Sequence, residues 1–351
     1  MSFNYEKSPT TLAADLSLPS DIEAVILKSI QDNKVSSVKM QGVASIAEIS
    51  ATTNIAELTS GGTINVSALP ASLEALVISG ATPAVLTITD SAFDGTVVFA
   101  NSANNQVTIQ NAKNVAVQGG DGSDTIVTST GKDTIVTGAG NDSVSTGAGT
   151  DKVIVSAAAG DRDTVDTGTG VDRVALSGTL SASDVGGRVT AAKQGSDLVI
   201  SLPSGQSVTV KNGEVIEFAD GTAIAATSTK VEAAMMRLYK GFIGREMDAD
   251  GAAWWLGNLR DNPTKTIQDV VRAFAGEAET RPIMTAATND AFLDALYTKA
   301  FGRAGDSTGK QYWLDQLATG GKSRVDVVAS FMWSNEAGTK IVGVIETDGS
   351  V

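Results

Sequence analysis

Four aspartates, Asp124, Asp133, Asp142 and Asp151, recur at nine-residue intervals, each in a glycine-rich loop just before a short apolar strand. The first unit, Gly119-Gly120-Asp121-Gly122-Ser123-Asp124-Thr125-Ile126-Val127, fits the nonapeptide G-G-x-G-x-D-x-U-x throughout. Carboxylates at constant spacing, beside glycines that let the backbone turn its carbonyls inward, are chemistry for a hard cation. Composition narrows the choice. The chain has neither histidine nor cysteine. That removes Ser-His-Asp triads, thiolate nucleophiles, disulfides and imidazole or thiolate ligation of zinc, copper or iron. Oxygen ligands remain, and these suit calcium or magnesium. With 26 Lys+Arg against 40 Asp+Glu, the formal charge of −14 disfavours nucleic acid and anionic lipid as partners and favours divalent cations.

The elements that must hold these aspartates are short strands. Their apolar positions in the repeats are Ile126, Ile135, Val144 and Val153. The next equivalent aspartate, Asp163, comes twelve residues after Asp151, and Asp172 follows nine later, with Val165 and Val174 as the matching core residues. The insertion at 156–159 is expected to bulge one loop without ending the stack. Upstream, residues 35–118 carry Val/Ile/Thr-rich strands at intervals of about ten residues. They predict a β-solenoid running into the repeats, with a β-sandwich as the alternative. Residues 1–34 predict a polar lead and a helix, capped by Ser20 or Asp21, with Ile22, Val25, Ile26 and Ile30 on one face; it serves as a cap or as an anchor. Residues 177–228 form a β-rich flank expected to cover the solenoid's apolar end.

Beyond Ser228 the period becomes helical and a second repeat appears. Leu238-Tyr239, Gly244-Arg245, Asp248, Gly251, Trp255-Leu256 and Leu259 recur 58 residues later as Leu296-Tyr297, Gly302-Arg303, Asp306, Gly309, Trp313-Leu314 and Leu317. Phe274 and Glu279 recur at 57 as Phe331 and Glu336. Residues 229–345 are therefore expected to be an all-α domain built by duplication, with Trp254, Trp255 and Trp313 as core anchors. Asp248, Asp250 and Gly251 suggest an EF-hand, but the glycine comes too early and no acidic residue closes the loop, which favours a helix-start turn. The fold class is thus multidomain β + α: a parallel β-roll or β-solenoid, then helices. No apolar stretch is long enough for a membrane span. Residues 1–7 show no basic start and apolar run, so a Sec-type signal peptide is not expected.

The aspartate-bearing stretch resembles the haemolysin-type RTX calcium-binding repeats of proteins exported by Gram-negative type I secretion. That resemblance implies a parallel β-roll with two nonapeptides per turn, folding on calcium outside the cell, and an ion between each loop and the next but one. Carried over by position, it pairs Asp124 with Asp142, Asp133 with Asp151, Asp142 with Asp163, and Asp151 with Asp172. Backbone carbonyls would come from Gly119, Asp121, Gly138 and Gly140 at the first site, and from Thr128, Thr130, Gly147 and Gly149 at the second. Thr146, Ala148, Gly168 and Gly170 would supply them at the fourth. Threonines 128, 137, 146 and 167 depart from the family's first glycine, and the three-residue slip before Asp163 puts the third site in question. A metal-free glycine-rich solenoid is the alternative. Residues 346–351 look like an uncleaved export signal. The helical duplication resembles an uncharacterised bacterial domain family that often ends secreted RTX and surface proteins.

Three functions fit these features. The first is a calcium-dependent secreted structural protein that self-associates into a lattice or filament at the bacterial surface, as surface layer or matrix. The second is an adhesin or a binder of polysaccharide or lipopolysaccharide, to be recognised by exposed Tyr or Trp beside Asp and Asn. The third is a polysaccharide-degrading enzyme, for which Asp90 and Asp94 are the remaining carboxylates, although both read as turn residues.

Overall fold

The computed structural model describes residues 4–7, 38–43, 45–156 and 158–346. The expected N-terminal helix and the tail beyond Glu346 lie outside the described residues. The chain divides into two compact units: Met1–Gly178 with Val199–Gly213, and Thr179–Leu198 with Glu214–Val351. The flank expected at 177–228 is therefore shared between the two.

The first unit is a parallel β-solenoid, and the sandwich alternative is excluded by its strand register. One face runs Val38–Val43, Ile55–Leu58, Ala75–Ile78, Thr96–Phe99, Ala116–Gln118, Thr134–Val136, Lys152–Val155 and Arg173–Leu176, each parallel to the next. The second face runs Gly62–Val66, Ala84–Ile88, Gln106–Ile109, Thr125–Val127, Ser143–Ser145, Arg162–Asp166 and Ser207–Lys211, again all parallel. Ser207–Lys211 is thus a further rung and not part of a separate cap. In the loops, Thr130–Gly131, Ala148–Gly149 and Thr169–Gly170 add a narrow third sheet. Thr125 lies opposite Ser143 and Thr134 opposite Lys152, so one turn consumes two nonapeptides.

Strand length and side-chain size change along the solenoid. Upstream strands bury Leu76, Ile78, Leu86, Ile88, Val97, Phe99, Val107 and Ile109, two per strand on the inward face. The strands that follow Asp124 and Asp142, Thr125–Val127 and Ser143–Ser145, are three residues long and bury only Ile126 and Val144. On this face apolar burial therefore stabilises the upstream rungs more than the repeats, while Lys152–Val155 and Arg173–Leu176 on the other face still bury two apolar residues each.

In the second unit, Val215–Phe218 and Thr222–Thr227 form an antiparallel hairpin, and Val344–Glu346 lies parallel to its second strand. Eight α-helices follow among the described residues: α1 Lys230–Leu238, α2 Ala249–Asp261, α3 Ile267–Phe274, α4 Arg281–Met284, α5 Asn289–Phe301, α6 Ser307–Ala318, α7 Arg324–Trp333 and α8 Asn335–Lys340. None is long and apolar enough to cross a membrane.

The internal duplication is structural. Gly244 and Gly302 close their helices in the left-handed conformation, at φ 84° and 66°. Asp248 caps α2 through the Gly251 N–H (2.7 Å), and Asp306 caps α6 through the Gly309 N–H (2.8 Å). These carboxylates satisfy free N–H groups at helix starts and do not belong to an EF-hand. Thr266 with Asp269 and Ser323 with Asp326 form matching capping boxes on α3 and α7. Phe274 packs on Tyr239 and Trp255, as Phe331 packs on Tyr297 and Trp313. Trp254 corrects the expectation of a core anchor: it is 59% exposed, because the α2 face carrying Leu256 and Leu259 turns inward and leaves position 254 outside.

Candidate metal centre

The aspartates form two columns, one on each edge of the solenoid. In the first, the Asn105 N–H donates to Asp124 Oδ1 (2.6 Å), the Asp124 N–H to Asp142 Oδ1 (2.8 Å), and the Asp142 N–H to Asp163 Oδ1 (3.0 Å). In the second, the Val115 N–H donates to Asp133 (3.0 Å), the Asp133 N–H to Asp151 (2.8 Å), and the Asp151 N–H to Asp172 (2.7 Å). All four expected carboxylate pairs are therefore stacked on adjacent turns. One oxygen of each side chain is fixed by the backbone of the preceding turn.

The other oxygen differs. Oδ2 of Asp133, Asp142 and Asp151 is buried and has no hydrogen-bond partner. Burial raises the carboxyl pKa of Asp124, Asp133, Asp142, Asp151 and Asp163. Asp133 is pushed up to about 6, and Asp142 to about 7, the latter with added repulsion from Asp163, Asp124 and Asp161. Buried anionic oxygens without donors are costly unless a cation faces them.

The loops close around these oxygens. A Cβ on Gly138 would lie 1.9 Å from the Gly120 carbonyl oxygen, and one on Gly147 would lie 1.9 Å from that of Ser129. Both have positive φ, at 99° and 92°. Gly149, Gly168 and Gly170 approach the carbonyls of Gly131, Gly147 and Gly149 just as closely. Carbonyl-bearing loops are thus layered at a distance only glycine permits, beside buried carboxylates. Among the described residues no three acidic side chains gather as a metal cluster. Two carboxylates per interval require loop carbonyls to complete the shell, which suits a cation that takes about six to eight oxygens. The residues fit calcium.

The third interval departs from the others. The three-residue slip is absorbed: Ser143 pairs with Thr164, so Asp163 lies under Asp142. The lower loop, however, lacks the glycine layering, since Gly160 has nothing near its Cβ position. Asp161 reaches in instead, accepting from the Gly140 N–H (2.8 Å), and the Gln206 amide donates to Asp163 Oδ2 (3.3 Å). Carboxylates meet here, but the carbonyl cradle is one-sided.

Some carbonyl ligands expected from sequence already accept one hydrogen bond and keep a second lone pair. The Gly147 carbonyl takes the Thr169 N–H (2.8 Å), and the Thr146 carbonyl takes the Thr128 hydroxyl (3.1 Å). The threonines at the first-glycine position have a role that pattern matching misses. Thr128, Thr146 and Thr167 are buried, and the Thr146 hydroxyl donates to the Thr167 carbonyl (3.0 Å), so they stitch consecutive turns. Asn105 and Gln206 also escaped sequence reading, although Asn105 lies 19 residues before Asp124, about one turn upstream. Asp90 and Asp94 do not form an acid-base pair: Asp90 accepts from the Leu69 and Ala92 N–H groups, and Asp94 is exposed in the turn.

Comparison with known proteins agrees with this geometry. Residues 118–153 match the family described as RTX calcium-binding nonapeptide repeat (4 copies). Residues 280–341 match a domain of unknown function (DUF4214), which covers most of the second helical copy. No curated protein and no solved structure matches the chain. The chain carries RTX calcium-binding repeats followed by a helical region, and calcium is the ion they take. The aspartate columns continue past the matched repeats to Asp163 and Asp172.

Proposed function

We propose that this is a secreted, calcium-dependent structural protein that assembles at a bacterial surface, as a surface-layer or matrix subunit. Calcium binding and the secretion that RTX repeats imply come from the repeats themselves. The observation that carries the rest is the double column of buried carboxylates, whose unpartnered oxygens make rigidity conditional on the cation. Calcium at extracellular-module sites binds at about 10⁻⁴–10⁻³ M, so the repeats stay loose in the cytosol and order outside. An acidic chain with a net charge of −14 needs cations to pack against copies of itself, which ties assembly to the same ion. Electron microscopy of the calcium-loaded protein tests this: sheets or filaments that dissolve in chelator are expected, and a strictly monomeric species at high concentration refutes it.

A second reading, a glycan-binding module, is favoured by one feature. Trp254 and Tyr312 occupy equivalent places in the two helical copies, 59% and 53% exposed. Each stands edge-on against the neighbouring half-buried Trp255 or Trp313, at 4.7 and 4.9 Å between ring centroids. Asn258 and Gln316 lie one helical turn along from them. Rigid exposed aromatic faces beside amides suit sugar rings. A glycan-binding assay in which the Trp254→Ala/Tyr312→Ala double variant binds like wild type removes this reading.

A further inference from the structure

Upstream of the aspartates, the loop edges of the solenoid are lined by buried asparagines. Asn105 holds the place that Asp124, Asp142 and Asp163 hold on later turns, since its N–H meets Asp124 Oδ1 as theirs meet the next aspartate. Its side chain is differently engaged. Nδ2 donates to the Ala103 carbonyl (2.8 Å) and to Asn101 Oδ1 (2.9 Å), while Oδ1 accepts from the Ala84 N–H (3.2 Å). Asn101 Nδ2 in turn donates to the Gly80 carbonyl (2.9 Å). On the other edge, Asn111 Nδ2 donates to the Phe93 carbonyl (2.8 Å) and the Asp90 carbonyl (3.2 Å). Further up, Asn54 Nδ2 donates to the Ser72 carbonyl (3.1 Å).

We propose that side-chain amides replace the cation in the upstream turns, so that Asn105 sets where calcium dependence begins and the solenoid before Gly119 folds without metal as a template for the repeats. This deepens the calcium reading and rests on it. A neutral amide brings its own positive end to the loop carbonyls that a cation would otherwise gather, and it leaves no buried charge. Three differences coincide at this boundary. Amides give way to carboxylates. Asp124 Oδ2 still accepts from the Gly120 N–H (2.9 Å), but beyond it Oδ2 of Asp133, Asp142 and Asp151 has no donor. On the face that continues from Gln106–Ile109, strands burying two large apolar residues give way to Thr125–Val127 and Ser143–Ser145, which bury one each. Gln118 Oε1 apart, the upstream turns therefore meet more of their own polar and apolar requirements than the repeats do. Parallel pairing of Gln106–Ile109 with Thr125–Val127, and of Ala116–Gln118 with Thr134–Val136, then offers the repeats a preformed edge on which to order.

The interval between Asn105 and Asp124 lacks little that a metal site needs. A Cβ on Gly120 or Gly122 would lie 2.0 or 2.2 Å from the Asn101 or Ala103 carbonyl oxygen, so these loops already layer as closely as those of the repeats. A second carboxylate is what it wants. The test is hydrogen exchange of the full chain in excess chelator and in calcium, with calcium stoichiometry by calorimetry for wild type and Asn105→Asp. In chelator, amides of residues 75–109 are expected to stay protected while those of 125–176 exchange much faster; calcium protects both. Asn105→Asp is expected to bind one more calcium ion per molecule and to lose upstream protection in chelator. If 75–109 and 125–176 open together when calcium is removed, or if Asn105→Asp leaves the ion count unchanged, the proposal is overturned. A wild-type chain that binds no calcium at all defeats the calcium reading as well, so the two failures are told apart. Should Asn105→Asp not fold, wild-type exchange still decides.

Discussion

Replacing Asp142 with asparagine should change stability in opposite directions with and without calcium. Without the ion, the native fold must keep the Asp142 carboxyl buried, and its pKa rises from 3.8 to about 7. At pH 7.5 that rise corresponds to about 4 kcal/mol of destabilisation relative to the unfolded chain. Loop relaxation and water entry reduce it, so relief on the order of 2–3 kcal/mol is expected. Asparagine keeps an oxygen for the Asp124 N–H and gains two N–H donors for loop carbonyls, the arrangement Asn105 already adopts. With calcium the sign reverses. Asp142 belongs to two intervals, one with Asp124 and one with Asp163. Losing an anionic ligand in each weakens each by about tenfold or more, about 1.4 kcal/mol apiece. Urea unfolding followed by circular dichroism, in chelator and in millimolar calcium, reads both signs. An Asp142→Asn variant destabilised equally in both conditions would falsify the argument, because it would make Asp142 an ordinary structural side chain and not a cation ligand.

Other outcomes follow from the same geometry. In chelator, the pKa values of about 6 for Asp133 and about 7 for Asp142 lie above the unfolded value of about 3.9, so their contribution is fully present below about pH 4 and lost as pH rises to about 7. The metal-free repeats should thus be more stable at pH 5 than at 7.5, and calcium affinity should climb through that window; a flat urea midpoint contradicts this. Gly147→Ala forces a Cβ into the Ser129 carbonyl at φ 92° and should cost roughly 2 kcal/mol or more, seen as a lowered urea midpoint in calcium. Arg260→Ala removes pairs with Glu214 (2.8 Å) and Glu232 (3.0 Å), leaving two poorly exposed carboxylates behind. Its expected cost is about 3 kcal/mol. That loss should fall on the helical unit, whose tryptophan fluorescence reports it, while calcium binding is unchanged.

Spacing alone disclosed the parts of this molecule that obey a strict period. Nine-residue recurrence of Asp124, Asp133, Asp142 and Asp151 placed their carboxylates in columns, because a strand-turn repeat of constant length must stack like on like. The 58-residue recurrence likewise located both Asp-capped helix starts. What the pattern hid was anything bridging distant segments or breaking phase. Ser207–Lys211 joins Arg162–Asp166 with partners 45 residues apart, such as Arg162 and Ser207, a pairing no local rhythm signals. Asp161 and Gln206 enter the third interval because the insertion displaced the usual glycines, which is a matter of three-dimensional shape. Asn105 was invisible for another reason: asparagine at a loop is ordinary turn chemistry until its amide is seen bonded to a carbonyl of its own loop. Trp254 and Trp255 are adjacent in sequence, and only helix packing reveals that one faces in and the other out.

Because each interior carboxylate in a column belongs to the interval above and the interval below it, no ion can settle without readying the neighbouring one. Occupancy should then spread along the edge like a zip fastener, giving a steep, sigmoidal saturation curve in place of independent filling. A molecule filled in that way would act less as a calcium store than as a threshold device, limp just under a critical calcium concentration and stiff just over it.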